Sequence, residues 1–552
     1  MSRLSRLPRI WRTLRPLRSR QMIAQAAHAL VGIRPPRPWH GPTPGLRVRR
    51  VDVPFLPGPR HAHLEPGLSL QLINRRIALD RPIDWASTGQ GRLFAYHLHQ
   101  HDFLRAERVV PRARAEWMLD WIRRHPHGVG WDPHPISLRI VTWAKLLVTP
   151  AALTLSDDEE AEIRNSMARQ LDALSRNVEV RLQANHLLSN LIGLCSGGVL
   201  FDGPHADRWL ARGAPLLGEL AEQVGDDGLH VERSPMYHAL LLESVLDLIG
   251  LAQAAPNRLP EPLTTALHDT AGPMLGALDV LAHPDGEIAL FADSAFGIAH
   301  APDVLHGYAQ ARGITAVAPA RPGVLDTGRY VRLSGGTFTL IASVGGPAPA
   351  WQPGHAHCDA LGFELSCGDQ RVVTDTGVFE YVPGERRDRA RATLAHATLE
   401  VGDAEQAETW AAHRIGGRPC VELDEVEPGR HLVASCASWS TPDTLHRRTW
   451  TMRDGDLEIR DEIQGSRRPI RLALPLAPGL EPRLAHDVDG GPEAHLPLPG
   501  GRRLVVALPV SARWRIERAA YYPEFGLDQE RACLIGESDD FEDGTWCFRL
   551  AT

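Results

Sequence analysis

The residues best suited to chemistry lie in a short segment, PGHAHCD, at residues 353–359. His355 and His357 stand two positions apart, so on a strand they would face the same side. Asp375 and His396 follow on what we predict to be neighbouring strands. Two imidazoles and a carboxylate on adjacent strands are a ligand set for a divalent metal, with Zn²⁺ the first expectation. The alternative is a group of ordinary structural histidines, because the chain contains 26 histidines.

A second candidate cluster is QANHLLSN at residues 183–190. Asn185 and His186 would stand together at the start of an otherwise apolar helix, where two polar side chains can face a substrate. The alternative is structural, since such side chains also cap helices or pair with buried polar groups.

A third cluster is DGLHVERSPMYH at residues 227–238. Pro235 suits the first turn of a helix. If helical geometry extends through this turn, Arg233 and Tyr237 share a face at i,i+4 spacing, and the cation would lower the pKa of the phenol from about 10. The alternative is a structural tyrosine beside a surface ion pair.

The elements that must position these residues fall into two regions, because the pattern changes near residue 325. Before it, apolar residues recur at three- and four-residue spacing, which predicts helices joined by short turns, as in a bundle or a closed toroid. The predicted helices include residues 114–124, 137–148, 157–177, 184–200 and 207–224. After it, short strands separated by turn residues predict a large antiparallel β-sandwich.

We therefore expect four segments along the chain. They are a basic N-terminal arm over residues 1–40, a helical domain over 41–312, a linker rich in Pro, Gly and Ala over 313–328, and the β-sandwich over 329–552.

The overall composition gives no support to nucleic-acid binding. The 552 residues carry 60 Lys and Arg against 67 Asp and Glu, a formal net charge of -7, whereas nucleic-acid binding usually needs a basic face. The seven cysteines contain no CxxC pair, and their odd number argues against a full disulfide framework, so we expect reduced thiols.

The N-terminal arm is an exception to this acidity. Seven arginines interleave with apolar residues in the first twenty positions, without the continuous apolar stretch of a secretory signal. The pattern predicts either a basic amphipathic helix on an anionic membrane surface or an arm packed on the body of the protein. Pro8 and Pro16 count against the helix. We expect a cytoplasmic protein, at the inner membrane if the arm binds lipid; the alternative is the periplasm.

Six motifs occur in the order seen in the heparinase II/III family. They are NHLLSN at residues 185–190, ERSPMYH at 232–238, PGHAHCDALGFEL at 353–365, VTDTG at 373–377, RATLAH at 391–396 and QAETW at 406–410. The chain resembles the bacterial members often found with surface-polysaccharide genes, and WDPHPISLRIVTW at residues 131–143 is similar to that subgroup. The ordered set is far more specific than any single motif.

The resemblance implies an α/α toroid followed by an antiparallel β-sandwich, with a saccharide cleft between them. It also implies a polysaccharide lyase that cleaves an acidic, uronate-containing polysaccharide by β-elimination. In that reaction a proton leaves the carbon next to the uronate carboxylate, and the glycosidic oxygen departs. The site therefore needs donors that neutralise the carboxylate, together with a base and an acid.

Position by position, the resemblance assigns Tyr237 as the acid/base residue and His355 as its partner across the cleft. Asn185 matches the residue that neutralises the carboxylate, and His186 would assist it. Because His355 would face the sugar while His357 faces a metal, we expect a bend or bulge near Ala356.

By the same matching, His357, Asp375 and His396 resemble the structural metal triad of the β-domain. The metal would brace the strands and so hold the neighbouring histidine at the cleft edge. Two positions depart from the family pattern. Cys358 stands where alanine is usual, and Ala397 follows the last metal ligand where asparagine is common, which would remove a hydrogen bond near the metal.

Four further residues are predicted from residue type alone to bind substrate. Arg139 and Arg233 would supply cations for an acidic sugar, and Trp131 and Trp143 would supply stacking faces. Packing or surface pairing is the alternative for each.

Two other functions stay open from the sequence. The same cleft would serve a non-catalytic saccharide-binding component of a surface-polysaccharide assembly system. A toroid glycoside hydrolase would need two opposed carboxylates. Asp226, Asp227 and Glu232 are available, but their spacing does not pair them across a cleft.

Overall fold

The structure is a computed structural model that describes residues 7–65, 69–78, 83–86, 88–453 and 455–551. Its first half is mainly helical and its second half consists of antiparallel sheets, the order that the sequence predicts. Residues 1–6 of the basic arm lie outside the described residues.

Twelve α-helices precede the large sheets in the described part of the chain. They are α1 (Leu7–Leu14), α2 (Ser19–Val31), α3 (Arg92–Gln100), α4 (Pro111–Arg124), α5 (Pro133–Val148), α6 (Asp157–Arg176), α7 (Ala184–Leu200), α8 (Pro204–Gly213), α9 (Leu216–Gln223), α10 (Pro235–Ala254), α11 (Glu261–Leu281) and α12 (Pro302–Gln310). Helix α7 packs against α5, α8 and α10, which places it at the centre of the helical region.

Helix α10 is long and apolar enough to cross a membrane by composition. However, 78% of its most apolar window is buried inside the protein, as expected of a core helix. A small sheet of β1 (Ala62–Glu65), β2 (Ser69–Leu72) and β3 (Arg75–Ala78) lies between α2 and α3. This sheet was not predicted from the sequence.

The second region contains nineteen strands within the described residues. They are β4 (Val324–Leu325), β5 (Tyr330–Gly335), β6 (Phe338–Ser343), β7 (Phe363–Cys367), β8 (Gln370–Val373), β9 (Leu399–Val401), β10 (Thr409–Trp410), β11 (Arg414–Ile415), β12 (Cys420–Glu427), β13 (His431–Ala437), β14 (Thr444–Arg453), β15 (Asp456–Gly465), β16 (Ile470–Pro475), β17 (Arg483–His486), β18 (Pro492–Pro497), β19 (Arg503–Ala507), β20 (Arg513–Tyr521), β21 (Gln529–Ser538) and β22 (Asp543–Ala551). A short helix, α13 (Glu385–Arg391), lies between β8 and β9.

The strands form one eight-stranded sheet, in the order β12-β13-β14-β15-β22-β19-β18-β17, and three smaller sheets, β20-β21-β16-β9, β4-β5-β6-β7-β8 and the pair β10-β11. The paired strands in these sheets run antiparallel. Strand β14 alternates buried and partly exposed residues along its length, because one face of its sheet covers the sandwich core.

A small apolar cluster joins the two regions. Leu229 and Phe291 from the helical region pack with Tyr330 and Ile341 from the sheets. Each of these side chains is nearly or fully buried, and burial of one such side chain stabilises a fold by about 1.5–3 kcal/mol. The boundary between the regions is therefore a packed interface on which a shared site can be built.

Proline explains two differences between prediction and structure. The predicted helix over residues 207–224 is in fact two helices, α8 and α9, which meet at Pro215 because its ring blocks a continuous helix. Conversely, α1 tolerates Pro8 because this residue lies in the first helical turn, and α1 ends before Pro16.

Candidate active site

Tyr237 lies in the first turn of α10, which begins at Pro235. Ser234 caps this helix: its Oγ accepts a hydrogen bond from the Tyr237 amide at 3.2 Å and donates one to the Asp293 carbonyl at 2.8 Å. The phenolic oxygen lies 2.9 Å from that of Tyr381. Burial raises the pKa of the Tyr237 phenol above its ordinary value, so the phenol carries its proton at neutral pH.

Arg233 does not have the predicted relation to Tyr237. Its φ of +58° places it outside the helix, so the two residues share no helical face. Its guanidinium instead donates to the carbonyls of Gly346 and Thr327, which ties the start of α10 to the second region. The prediction that this cation lowers the pKa of the phenol is wrong, because the pKa of Tyr237 is raised and the guanidinium binds two backbone carbonyls instead.

His355 lies in a turn rather than on a strand. The Ala356 amide donates to the Pro353 carbonyl at 3.2 Å, and the next strand, β7, begins only at Phe363. The same-side geometry of an ideal strand therefore does not apply to His355 and His357. The turn provides the change of direction expected near Ala356.

One carboxylate joins both histidines. His355 Nδ1 donates to Asp293 Oδ2, and His357 Nε2 donates to Asp293 Oδ1, each at 2.9 Å. Arg387, from α13, binds the same carboxylate through both terminal nitrogens, with the Nη2 contact at 2.8 Å.

The charge state of Asp293 fixes the tautomer of His355. Burial opposes ionisation of Asp293, but the Arg387 charge and the hydrogen bonds from His355 and His357 hold its pKa well below the ordinary value. An ionised carboxylate keeps the His355 proton on Nδ1. The other ring nitrogen, Nε2, is therefore free to accept a proton.

Three residues from separate sequence clusters meet at the boundary between the regions. The ring centroids of Tyr237 and His355 are 4.3 Å apart. Asn185, at the start of α7, places its Nδ2 3.5 Å from His355 Nε2. The same Nδ2 donates to the buried Glu232 carboxylate at 2.8 Å, which fixes the orientation of the amide.

His186 lies next to Asn185 and has its own carboxylate. Its Nδ1 lies 3.1 Å from Oε2 of Glu179, which is buried. Burial lowers the pKa of His186, but the charge and hydrogen bond of Glu179 outweigh it, so the pKa is raised from 6.5. Asn190 holds the carboxylate through its Nδ2 at 3.3 Å. Glu179 therefore favours the protonated form of this partly exposed imidazole, which follows Asn185 in the chain.

A layered arrangement results. Asn185, His186 and Tyr237 keep part of their surface accessible, whereas Asp293 and Glu232 beneath them are buried. Groups that touch a ligand thus rest on groups that orient them.

The predicted metal residues also come together. His357, Asp375 and His396 each place a ligand atom within 4.8 Å of the others, and all three are buried. None of them lies on a strand as predicted: Asp375 follows the end of β8, and His396 precedes β9.

Two buried ring nitrogens at this position have no hydrogen-bond partner among the described residues. These atoms are His357 Nδ1 and His396 Nε2. The opposite nitrogen of each ring is held by a carboxylate, Asp293 for the first and Asp375 at 2.7 Å for the second. Carboxylate-oriented imidazoles with a free second nitrogen fit a metal ion.

Three of the residues predicted to bind substrate lie inside the helical core instead. Arg139 is buried and donates to Gln170 Oε1, to the His99 carbonyl and to the Gly130 carbonyl at 2.7–2.9 Å. Trp143 and Trp131 are also buried, and their indole nitrogens donate to His101 and to the His125 carbonyl. These predictions are wrong because residue type alone does not show which face of a helix is buried.

Sequence reasoning missed the groups that hold the reacting residues. Asp293, Arg387, Tyr381 and Glu179 received no role. Asp293 does not lie in any of the motifs found in the sequence. It is, however, an acidic residue within the apolar run IALFADSAF at residues 288–296, and such a residue indicates a buried carboxylate with a partner.

Two of the three carboxylates considered for a hydrolase accept hydrogen bonds from neighbouring protein groups. Asp227 accepts the amides of Leu229 and Thr327 at 3.1 and 2.7 Å. Glu232 accepts from Asn185 and is buried. The structure does not place these carboxylates as an opposed pair.

Comparison with known proteins matches both regions to family models. The model described as heparinase II/III N-terminus matches residues 106–311, and the one described as heparinase II/III-like, C-terminal matches residues 318–544. The chain is similar in structure to heparinase III, with a TM-score of 0.67 and 19% identity over 86% of this chain and 80% of that chain. The expected toroid followed by an antiparallel β-sandwich is thereby confirmed.

Two curated relatives are similar in sequence. Heparin-sulfate lyase from Pedobacter heparinus is 27% identical over 60% of this chain, and the match spans 53% of that protein, about half its length. FtsZ-localized protein C from Caulobacter vibrioides is 26% identical over 82% of this chain and 76% of its own length.

Proposed function

The chain belongs to the heparinase II/III family, and on that basis we propose that it is a polysaccharide lyase that cleaves a uronic-acid-containing polysaccharide by β-elimination. The observation that carries the proposal is the meeting of Tyr237, His355 and Asn185 at the boundary between the two regions. A proton donor, a proton acceptor and an amide thus lie within reach of one sugar ring.

The tautomer of His355 makes it the base. Its Nε2 lone pair accepts the proton from the carbon next to the uronate carboxylate, while Asp293 stabilises the imidazolium that forms. The carbon–oxygen bond to the leaving sugar then breaks as a carbon–carbon double bond forms. Tyr237, neutral because of its raised pKa, donates its proton to the departing glycosidic oxygen.

Asn185 and His186 would neutralise the uronate carboxylate of the substrate. In the proposed complex, the remaining N–H of the amide and the protonated imidazole would face the carboxylate, where negative charge builds up as the proton leaves. Glu232 and Glu179 hold the two side chains in place, so little reorganisation is needed when substrate binds.

A divalent metal, with Zn²⁺ expected, would be held by His357, Asp375 and His396. When bound, the ion would cross-link three loop segments of the β-domain and so stiffen the turn that carries His355.

The test is elimination by the purified protein on a panel of uronate polymers, followed through the absorbance of the unsaturated product. The panel includes heparan sulfate, because one relative is named a heparin-sulfate lyase, together with alginate and unsulfated bacterial exopolysaccharides. We expect Tyr237→Phe and His355→Ala each to abolish elimination. Tyr522→Phe, which changes a tyrosine packed on Phe379, is the matched control and should keep activity.

Near-wild-type turnover in either cleft variant would contradict the roles assigned here. Absence of elimination on every polymer, with glycan binding retained in Tyr237→Phe, would favour instead a non-catalytic saccharide-binding component of surface-polysaccharide biosynthesis.

A further inference from the structure

Helix α1 is amphipathic, but it presents its apolar face to the outside. Leu7, Ile10, Trp11 and Leu14 follow the i, i+3, i+4, i+7 spacing of one helical face. Their exposed fractions are 56%, 38%, 66% and 41%. In a helix packed on a soluble protein this face would point to the core, so its orientation requires another explanation.

The polar face of α1 is hydrogen-bonded to residues of the second region. The guanidinium of Arg12 forms two hydrogen bonds to the Glu408 carboxylate, at 2.7 and 2.9 Å, and Arg9 donates to the same carboxylate at 3.0 Å. Trp410 Nε1 donates to Thr13 Oγ1 at 3.1 Å. These contacts set the rotation of α1 about its axis, and the apolar face is turned outward as a result.

Helix α2 follows α1 in the chain and is also largely exposed. Its start is fastened to α9, where Arg20 binds Glu219 and Glu222 at 2.7 and 2.8 Å. Beyond Gln21 none of its residues is buried. Ile23 and Leu30, seven positions apart and on one face, are both exposed. The arm therefore contains two successive helices whose large apolar side chains stay exposed within the described part of the chain.

The N-terminal segment contains only basic charged residues. The first 50 residues contain twelve arginines and no acidic residue, although the whole chain has a net charge of -7. Arg15, next to Leu14, is exposed and has no ion-pair partner among the described residues. A second copy of the chain would bring like charges together on this surface, whereas an anionic lipid surface would complement them.

We propose that the N-terminal arm docks the protein on an anionic lipid surface, with Leu7, Ile10, Trp11 and Leu14 inserted among the lipids. The apolar face supplies burial, and the flanking arginines supply attraction to the headgroups. The arm contacts both regions and the segment before His355, since Gln21 Nε2 donates to the Trp351 carbonyl at 3.1 Å. Docking would therefore hold the candidate active site at a fixed orientation to the membrane.

The proposal is tested by co-sedimentation of the full-length protein with vesicles. We expect binding to phosphatidylglycerol-containing vesicles, weaker binding to pure phosphatidylcholine vesicles, and loss of binding as salt is raised. Trp11→Glu and Leu7→Glu should each weaken binding by at least about tenfold, because each removes the insertion of one large apolar side chain. Val488→Glu, which makes the same kind of change at a fully exposed loop residue, should bind like the wild type.

The alternative is that a second copy of this chain covers the exposed apolar face of α1. Light scattering in the absence of vesicles would detect such a dimer. A dimer that Trp11→Glu dissociates, with no vesicle binding by the wild type, would overturn the proposal. Equal binding of wild type and both arm variants would also overturn it. Because the substituted side chains are exposed, unchanged thermal melting of the variants shows that they remain folded.

Discussion

Replacing Asp293 by asparagine removes the buried negative charge that His355, His357 and Arg387 share. Breaking a buried ion pair by removing one partner costs about 3–5 kcal/mol, because the other charge is left uncompensated. For domains of this size about 1 kcal/mol corresponds to roughly 2 °C, so the melting temperature should fall by about 6–10 °C. Asparagine preserves the shape of the side chain, so this loss reports charge rather than a cavity.

Activity should fall much further than stability. An amide can present its NH₂ group to His355 Nδ1, which moves the ring proton to Nε2 and removes the base. The orienting carboxylate behind a catalytic histidine is worth roughly 10⁴-fold in kcat. We therefore expect a loss of about 10³- to 10⁴-fold in kcat for Asp293→Asn, measured by product absorbance at a temperature where the variant is fully folded.

The pH dependence follows from the depressed pKa of Asp293. The carboxylate stabilises the fold fully above its unfolded pKa of about 3.9, and this contribution is lost as pH falls through the folded value. The stability difference between wild type and Asp293→Asn should accordingly be constant above pH of about 5 and shrink in acid. Denaturant titrations across this range measure it.

Asp461 offers a matched control. It is buried and binds Arg448 through both carboxylate oxygens, His446 at 2.6 Å and Trp546 at 2.9 Å, without contacting the cleft side chains. Asp461→Asn should lose comparable stability but keep the activity of the folded protein. Similar activity losses in both variants would refute the orienting role of Asp293 and indicate a general loss of structure.

Three further predictions follow from the same contacts. His357→Ala should lower metal content and thermal stability together, and unchanged metal by elemental analysis would refute the metal assignment. Glu179→Gln should lower the pKa of His186, so that the alkaline limb of the kcat/KM profile moves to lower pH; an unmoved limb would exclude His186 as the carboxylate-neutralising cation. Arg139→Met should cost about 3 kcal/mol of stability through its three lost hydrogen bonds while leaving KM unchanged, and a raised KM would restore its role in substrate binding.

Local sequence patterns predict helices and strands correctly where the spacing of apolar residues alone decides the backbone conformation. The helix predicted over residues 184–200 coincides with α7, because apolar residues recur there at helical spacing over a long segment bounded by turn residues. The prediction over residues 207–224 failed because the helical spacing of apolar residues continues across Pro215. That spacing does not show that proline lacks the amide hydrogen needed to continue a helix. The strand expected at His355 failed for a similar reason. Alternation of residues also occurs in turns, and the Pro353-Gly354 pair favours a turn.

Some residues of the candidate site could be predicted from the sequence and others could not. Asn185, Tyr237 and His355 sit in contiguous motifs and could be found from sequence. Asp293 could not, because its partners His355 and Arg387 lie 62 and 94 residues away and only the fold brings them together. For Arg139, residue type gave a wrong prediction. Its positive charge suggested that it binds an acidic sugar, but its guanidinium donates to buried carbonyl groups.

The position of Asp293 between His355 and His357 would couple the proposed chemistry to a metal held by His357, Asp375 and His396. Such an ion would withdraw electron density from the His357 ring and strengthen its hydrogen bond from Nε2 to Asp293. The carboxylate then offers less negative charge to His355, whose imidazolium it must stabilise during proton transfer. Metal occupancy should therefore tune the basicity of His355 as well as brace its turn. Arg387 limits the effect by holding the carboxylate ionised in either state.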